Sequence, residues 1–322
     1  MTKDNARGSG AEGAIAAAPA VPAALPYAVL AAGVFAVSSA AILTRFVQTY
    51  GMPALPLAAW RLALAAAILT PLVLVRCRGE LARLSRRDLG LALASGAFLA
   101  VHFAAWIASL EYTSVAASTI LVTTNPIWIA ALAWLVFGER PARALLVAIA
   151  VALAGGSAIF AAGAGGATGV DPTLGNALAL AGSLAVSAYL LIGRSLRGRV
   201  SLLVYVWLVY GAAALVLLAS VATTGAPMRG FAPVAYLLLV ALAVGPQLLG
   251  HGAFNWALRY LSTSFIALAI LGEPVGAAAL AYLVLGERVA PLELAGFVLL
   301  LAGIYVGARA ERARPPSPRL SP

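Results

Sequence analysis

Four kinds of position in this chain set a polar or ionisable side chain inside a long apolar run. Glu273 stands directly before Pro274 in a stretch, 263–285, that holds no other charge, and Asn125 stands before Pro126 in the similar stretch 115–137. Proline lacks an N–H and withdraws one donor from a helical ladder. A carboxylate or amide beside the freed carbonyl is placed to bind a proton or a ligand ammonium. His102 and His251, the two histidines of the chain, are 149 residues apart, and imidazole titrates near neutral pH, which suits proton relay. Arg61 lies in the run 54–75, where its guanidinium could pair with a carboxylate in two-pronged fashion or snorkel and hold a helix end.

Each of these residues also has a purely structural reading. Glu273 could be a protonated, hydrogen-bonded lock between two helices, and each histidine could simply bond a neighbouring helix. Trp106, Trp128 and Asn255 complete the set of candidate substrate- or proton-binding residues. Tyr112, Tyr189, Trp207 and Trp256 are weaker members, because aromatic rings near helix ends commonly form interfacial belts. Other chemistries find little support. With one cysteine, Cys77, and two histidines, no zinc-type ligand set is complete, and no disulfide can form within the chain. Cys77 is read as an inert thiol in preference to a palmitoylation site. The Gly-rich segment 163–169 lacks the Gly-Lys-Ser/Thr ending of a phosphate loop. No cofactor or catalytic residue is expected.

The elements that position these residues follow from composition. The 322 residues are 63% hydrophobic and only 10% charged, well short of the roughly 25% charge of soluble domains. Lipid must therefore surround most of the chain. A spanning helix needs about 20 apolar residues, and ten stretches fit: 26–47, 54–75, 89–109, 115–137, 144–162, 174–193, 202–222, 233–254, 263–285 and 291–308. The net charge of +10 does not signal nucleic acid, because the basic residues lie in short runs between apolar stretches. With both termini in the cytoplasm, most of these runs fall on the cytoplasmic side, as the positive-inside rule requires. Residues 1–24 read as a disordered cytoplasmic tail without a secretory signal, and 309–322 as a second tail.

The chain is also duplicated. Leu110-Glu-Tyr-Thr-Ser114 aligns with Leu258-Arg-Tyr-Leu-Ser262, Asn125-Pro126 with Glu273-Pro274, and Gly138-Glu-Arg140 with Gly286-Glu-Arg288, all at an offset of 148. Gly33, Ser38 and Arg45 meet Gly182, Ser187 and Arg194 at 149. By that second offset His102 and His251 would occupy equivalent sites. The expected fold is all-α, with ten transmembrane helices as two inverted five-helix repeats, 25–162 and 174–308, joined by a linker, 163–173. Inverted repeats are a common construction of secondary transporters.

These residues resemble the EamA family of the drug/metabolite transporter superfamily. The likeness is carried by Arg61 in Ala58-Ala-Trp-Arg-Leu62, by Thr113 to Arg140 with its Phe137-Gly-Glu-Arg140 ending, and by Glu273-Pro274. Tyr282-Leu-Val-Leu-Gly-Glu-Arg288 and the last helix, Leu294-Ala-Gly to Ala302-Gly-Ile304, extend it through the second copy. The resemblance implies a permease of a bacterial inner membrane that exports small metabolites such as amino acids, or drugs, by alternating access. A membrane-embedded enzyme and a channel-like protein are the alternatives. The expected partners are a small-molecule substrate and the lipid bilayer, with proton coupling, as a monomer or homodimer.

Overall fold

The computed structural model describes residues 21–113, 115–163, 170–285 and 291–313. The tail residues 1–20 and 314–322, the linker residues 164–169 and the second Gly-Glu-Arg end at 286–288 lie outside the described residues, as does the side chain of Glu293. The described elements are all helices, and the described residues contain no strand.

The first half comprises α1 (Leu25–Ser38), α2 (Ala40–Thr49), α3 (Ala54–Arg76), a short α4 (Arg78–Ala82), α5 (Arg86–Tyr112), α6 (Val115–Val122), α7 (Asn125–Phe137) and α8 (Arg143–Gly163). The second comprises α9 (Pro172–Leu196), α10 (Leu202–Thr224) and α11 (Pro233–Leu242). A π-helical segment, Ala243–His251, follows, then α12 (Gly252–Ala257), α13 (Thr263–Ile270), α14 (Glu273–Leu285) and α15 (Pro291–Arg312). Among the described residues, eight helical stretches are long and apolar enough to cross a membrane.

Local chemistry sets many of the ends. The side chains of Ser85, Asp171, Ser201 and Ser262 accept from the backbone N–H three residues on, at the starts of α5, α9, α10 and α13, satisfying donors the helix leaves free. Gly138 and Gly225 close α7 and α10 in the left-handed conformation that glycine adopts without strain.

Two helices expected to be continuous are interrupted beside a proline, and the run 26–47 parts at Ser39 without one. The run 115–137 breaks between α6 and α7, and 263–285 between α13 and α14. Pro126 and Pro274 cannot donate to Val122 and Ile270, so the ladder parts one turn earlier. The run 233–254 extends to Ala257 and carries the π-helical segment around Gly245-Pro246.

The halves interlock reciprocally. α1 packs on the π-helical segment of the other half, and α9 packs on α5. The second helices, α3 and α10, pair, as do the last helices, α8 and α15. Gly155, Gly296 and Gly303 bring α8 and α15 together so closely that a Cβ at any of the three would meet the partner's backbone within 2.7 Å. Such small-residue contacts drive helix association in lipid.

One end of the bundle carries a group of charged clasps. Arg194 makes a two-pronged pair with Glu139, both contacts at 2.8 Å, and Arg199 pairs with Asp88 at 2.9 Å. The Ser201 N–H donates to Glu80, and Ser262 donates twice to Glu311. By the distribution of Lys and Arg this is the end expected in the cytoplasm.

Candidate functional site

The broken helices meet at the middle of the bundle, and a hollow opens beside them. It is lined by Val37 and Ala40 of the first helices, Val122, Thr123 and Asn125 at one break, and Ile270 and Glu273 at the other. Arg61 of α3, His102, Phe103 and Trp106 of α5, and His251 and Phe254 of the eighth stretch close it. The duplication is visible in the lining. Val122 and Asn125 face Ile270 and Glu273 at an offset of 148, and Val37 matches Val186. The hollow has a volume of about 40 Å³ for the centres of water-sized molecules, enough to admit water among its polar groups.

Two hydroxyls hold the breaks in matching fashion. Ser38 Oγ donates to the carbonyls of Val34 and Glu273, at 2.8 and 3.0 Å. Ser187 Oγ donates to those of Ser183 and Asn125, at 2.7 and 3.3 Å. The first helix of each half thus ties down the opposite half's broken helix just where its second segment begins. Asn125 and Glu273 are the first residues of α7 and α14, so both side chains sit at helix N-termini, where the backbone dipole favours negative charge.

The electrostatics of the hollow are unusual for so apolar a chain. Arg61 is 1% exposed and Glu273 8%. Arg61 donates its Nε–H to Gln247 Oε1 at 2.9 Å, and its guanidinium lies 4.2 Å over the Phe103 ring. Arg61 and Glu273 form no ion pair with one another within 4 Å. Arg61 Nη1, Asn125 Oδ1, Trp106 Nε1 and His251 Nδ1 are buried without a hydrogen-bond partner. Buried polar atoms are normally paired, so four such atoms on one lining mark a surface made for a polar occupant.

The histidines converge, but not as a symmetric pair. Their ring centroids are 6.3 Å apart, and His102 stacks parallel to Trp106. His102 Nδ1 donates to the carbonyl of Gly182 at 2.9 Å. In the other half, the residue packed against the matching Gly33 is Gly250, with Phe254 where Trp106 stands. The third helices therefore correspond at an offset of 148, which makes His251 the counterpart of Phe103. The equivalence expected from an offset of 149 is thereby corrected: that offset holds for the first helices only.

Of the residues singled out by sequence, Glu273, His102, His251, Arg61, Asn125 and Trp106 share the hollow's lining. Trp128 and Asn255 do not. Asn255 is fully buried behind it and donates to Tyr189 Oη and to the carbonyl of His251, at 2.5 and 2.8 Å. Trp128 Nε1 is buried without a partner. Gln247 escaped notice, although a lone amide after Gly245-Pro246 in an apolar run was its signal. Among the described residues no cluster of three metal-ligating side chains exists.

A chain whose described elements are all helices, eight of their stretches long and apolar, and which is built as two interlocked copies around a polar hollow, is a multi-pass membrane protein. The sequence model of the EamA-like transporter family matches residues 25–161 and 173–308, one match for each copy. The chain belongs to that family, within the drug/metabolite transporter superfamily. No curated protein matches it. Among solved structures, one described only as "Crystal structure of protein" has a TM-score of 0.72 at 19% identity, covering 90% of this chain and 98% of that one. At that identity the likeness establishes the fold.

Proposed function

We propose that this protein is a secondary transporter for small zwitterions of the amino-acid class, exporting them by alternating access of the central hollow. One observation carries the substrate class: Arg61 and Glu273 share the hollow without pairing with each other. A cation and a carboxylate held apart in an apolar surrounding recognise a ligand that carries both opposite charges. Arg61 takes the substrate carboxylate, with Trp106 and Asn125 as neutral polar contacts. Glu273 takes the ammonium, and in the absence of substrate it is the group suited to carry a proton.

The setting supports the transport reading. Ionisable side chains are costly inside a membrane and tend to mark substrate or ion paths. Ligand sites between repeats, at the breaks of discontinuous helices, are typical of secondary transporters. In this reading all ten apolar stretches cross an inner membrane, the second copy is inverted, and both tails are cytoplasmic. Alternating access requires the hollow to open toward one side to load and toward the other to release.

The test is uptake into proteoliposomes of leucine, of 3-methylbutylamine, which lacks the carboxylate, and of 4-methylpentanoate, which lacks the ammonium. Saturable transport of leucine, with each truncated analogue at least about tenfold poorer, is expected, since a site built for a polar group rejects analogues without it. Equal transport of either analogue refutes the zwitterion assignment.

A further inference from the structure

Arg61 is the cation of the hollow, and one of its five N–H donors is directed away from any ligand. Its Nε–H goes to Gln247 Oε1 at 2.9 Å, and one of its faces is covered by Phe103. These two contacts remove the rotational freedom of the guanidinium. What stays without a hydrogen bond among the described residues is the pair of terminal nitrogens, of which Nη1 is fully buried.

Gln247 is enclosed and anchored through its backbone, while its side-chain Nε2 has no partner among the described residues. It is fully buried, lies within the π-helical segment, and its backbone carbonyl accepts from Tyr210 Oη at 3.2 Å. Its amide orientation follows from its partner, because only Oε1 can accept from an arginine N–H. A π-helical turn inside an α-helix frequently marks a functional position. This one belongs to the second copy alone, since the corresponding part of α5 is regular.

The chemical identity of the acceptor matters. A glutamate at this place would hold Arg61 equally well but would neutralise it internally. An apolar side chain would leave Nε unpaired and the guanidinium free to turn. The neutral amide anchors the cation without spending its charge. We infer that Gln247 is a positioning residue for substrate selection: it presents Arg61 as a fixed, uncompensated cation, and so sets the preference for ligands that bear a carboxylate. This inference rests on the zwitterion reading of the hollow.

The experiment compares wild type with Gln247→Glu and Gln247→Met in proteoliposomes, measuring KM and maximal rate for leucine and 3-methylbutylamine, alongside thermal stability in detergent. With Gln247→Glu, the KM for leucine is expected to rise about tenfold or more, the scale of one charge-assisted hydrogen bond, while the KM for the amine stays level or falls. With Gln247→Met, the leucine KM rises several-fold and the maximal rate is kept. A residue that merely satisfied Arg61 within the fold would change stability and leave the leucine-to-amine ratio alone. An unchanged ratio in the variants that fold overturns the inference, and Gln247→Met decides if Gln247→Glu does not fold. If wild type itself fails to prefer leucine over the amine, the role given to Arg61 falls first, and this inference falls with it.

Discussion

Substituting alanine at Gly155 and at its neighbour Gly156 should have opposite effects on stability. A Cβ at Gly155 would sit 2.5 Å from the Leu300 nitrogen, 2.6 Å from the Gly296 oxygen and 2.9 Å from the Leu300 Cα. All three are backbone atoms of α15, so no rotamer change relieves the clash. Ordinary contact begins at 3.4 Å, so α8 and α15 must part by roughly 1 Å along their seam, loosening close packing on both sides. Overpacking of this kind costs about 1–3 kcal/mol. A Cβ at Gly156 meets nothing within 4 Å. Both substitutions gain the same ~0.5–1 kcal/mol from replacing a helical glycine, so that contribution cancels between them. Gly155→Ala should therefore be about 1–3 kcal/mol less stable than Gly156→Ala, measured by reversible unfolding in mixed detergent micelles. Equal stability of the two variants would show that the α8–α15 seam is not the tight contact described.

Three further outcomes are expected. Glu273→Gln should weaken leucine and 3-methylbutylamine together by about tenfold and leave 4-methylpentanoate unaffected; normal rate and pH dependence with leucine would rule out both the ammonium and the proton role. Ser38→Ala and Ser187→Ala should each destabilise by about 0.6 kcal/mol, the average for a hydrogen bond between membrane helices, and a loss confined to one of the two in a chemical unfolding series would contradict their matching geometry. Cys77, at the C-terminal end of α3 and partly exposed, should react with a membrane-impermeant maleimide only after cells are opened; labelling of intact cells would invert the proposed topology.

The architecture was largely legible because a membrane imposes a simple demand. Twenty apolar residues in a row leave few alternatives to a helix, and polar residues stand out against them. Asn125 and Glu273 were visible for that reason, but the stretches that hold them read as continuous helices, and the breaks beside Pro126 and Pro274 that give α7 and α14 their starts were not anticipated. The π-helical segment was not legible, because hydropathy does not distinguish one helical hydrogen-bond pattern from another. Gln247 was passed over with it. The histidines misled through register: two offsets, 148 and 149, coexist in the alignment of the copies, and one residue is about 100° of helix rotation. Only the packing of Gly33 and Gly182 against their partners shows which offset governs the third helices. Asn255 and Trp128 had the right chemistry, but a linear sequence gives no sign of which helix face turns inward.

The reciprocal exchange of first and third helices has a consequence for biosynthesis. Gly33 of α1 fits against Gly250 and Ala253, more than two hundred residues downstream. At a ribosomal rate of about 5–20 residues per second, α1 waits roughly 10–40 seconds in the bilayer before its proper neighbour is made. Its small-residue face is open to other helices throughout that interval. An insertase or chaperone that shelters the first half until the eighth stretch emerges would therefore govern the yield of correctly assembled protein, and slowing translation late in the message should lower that yield more than slowing it early.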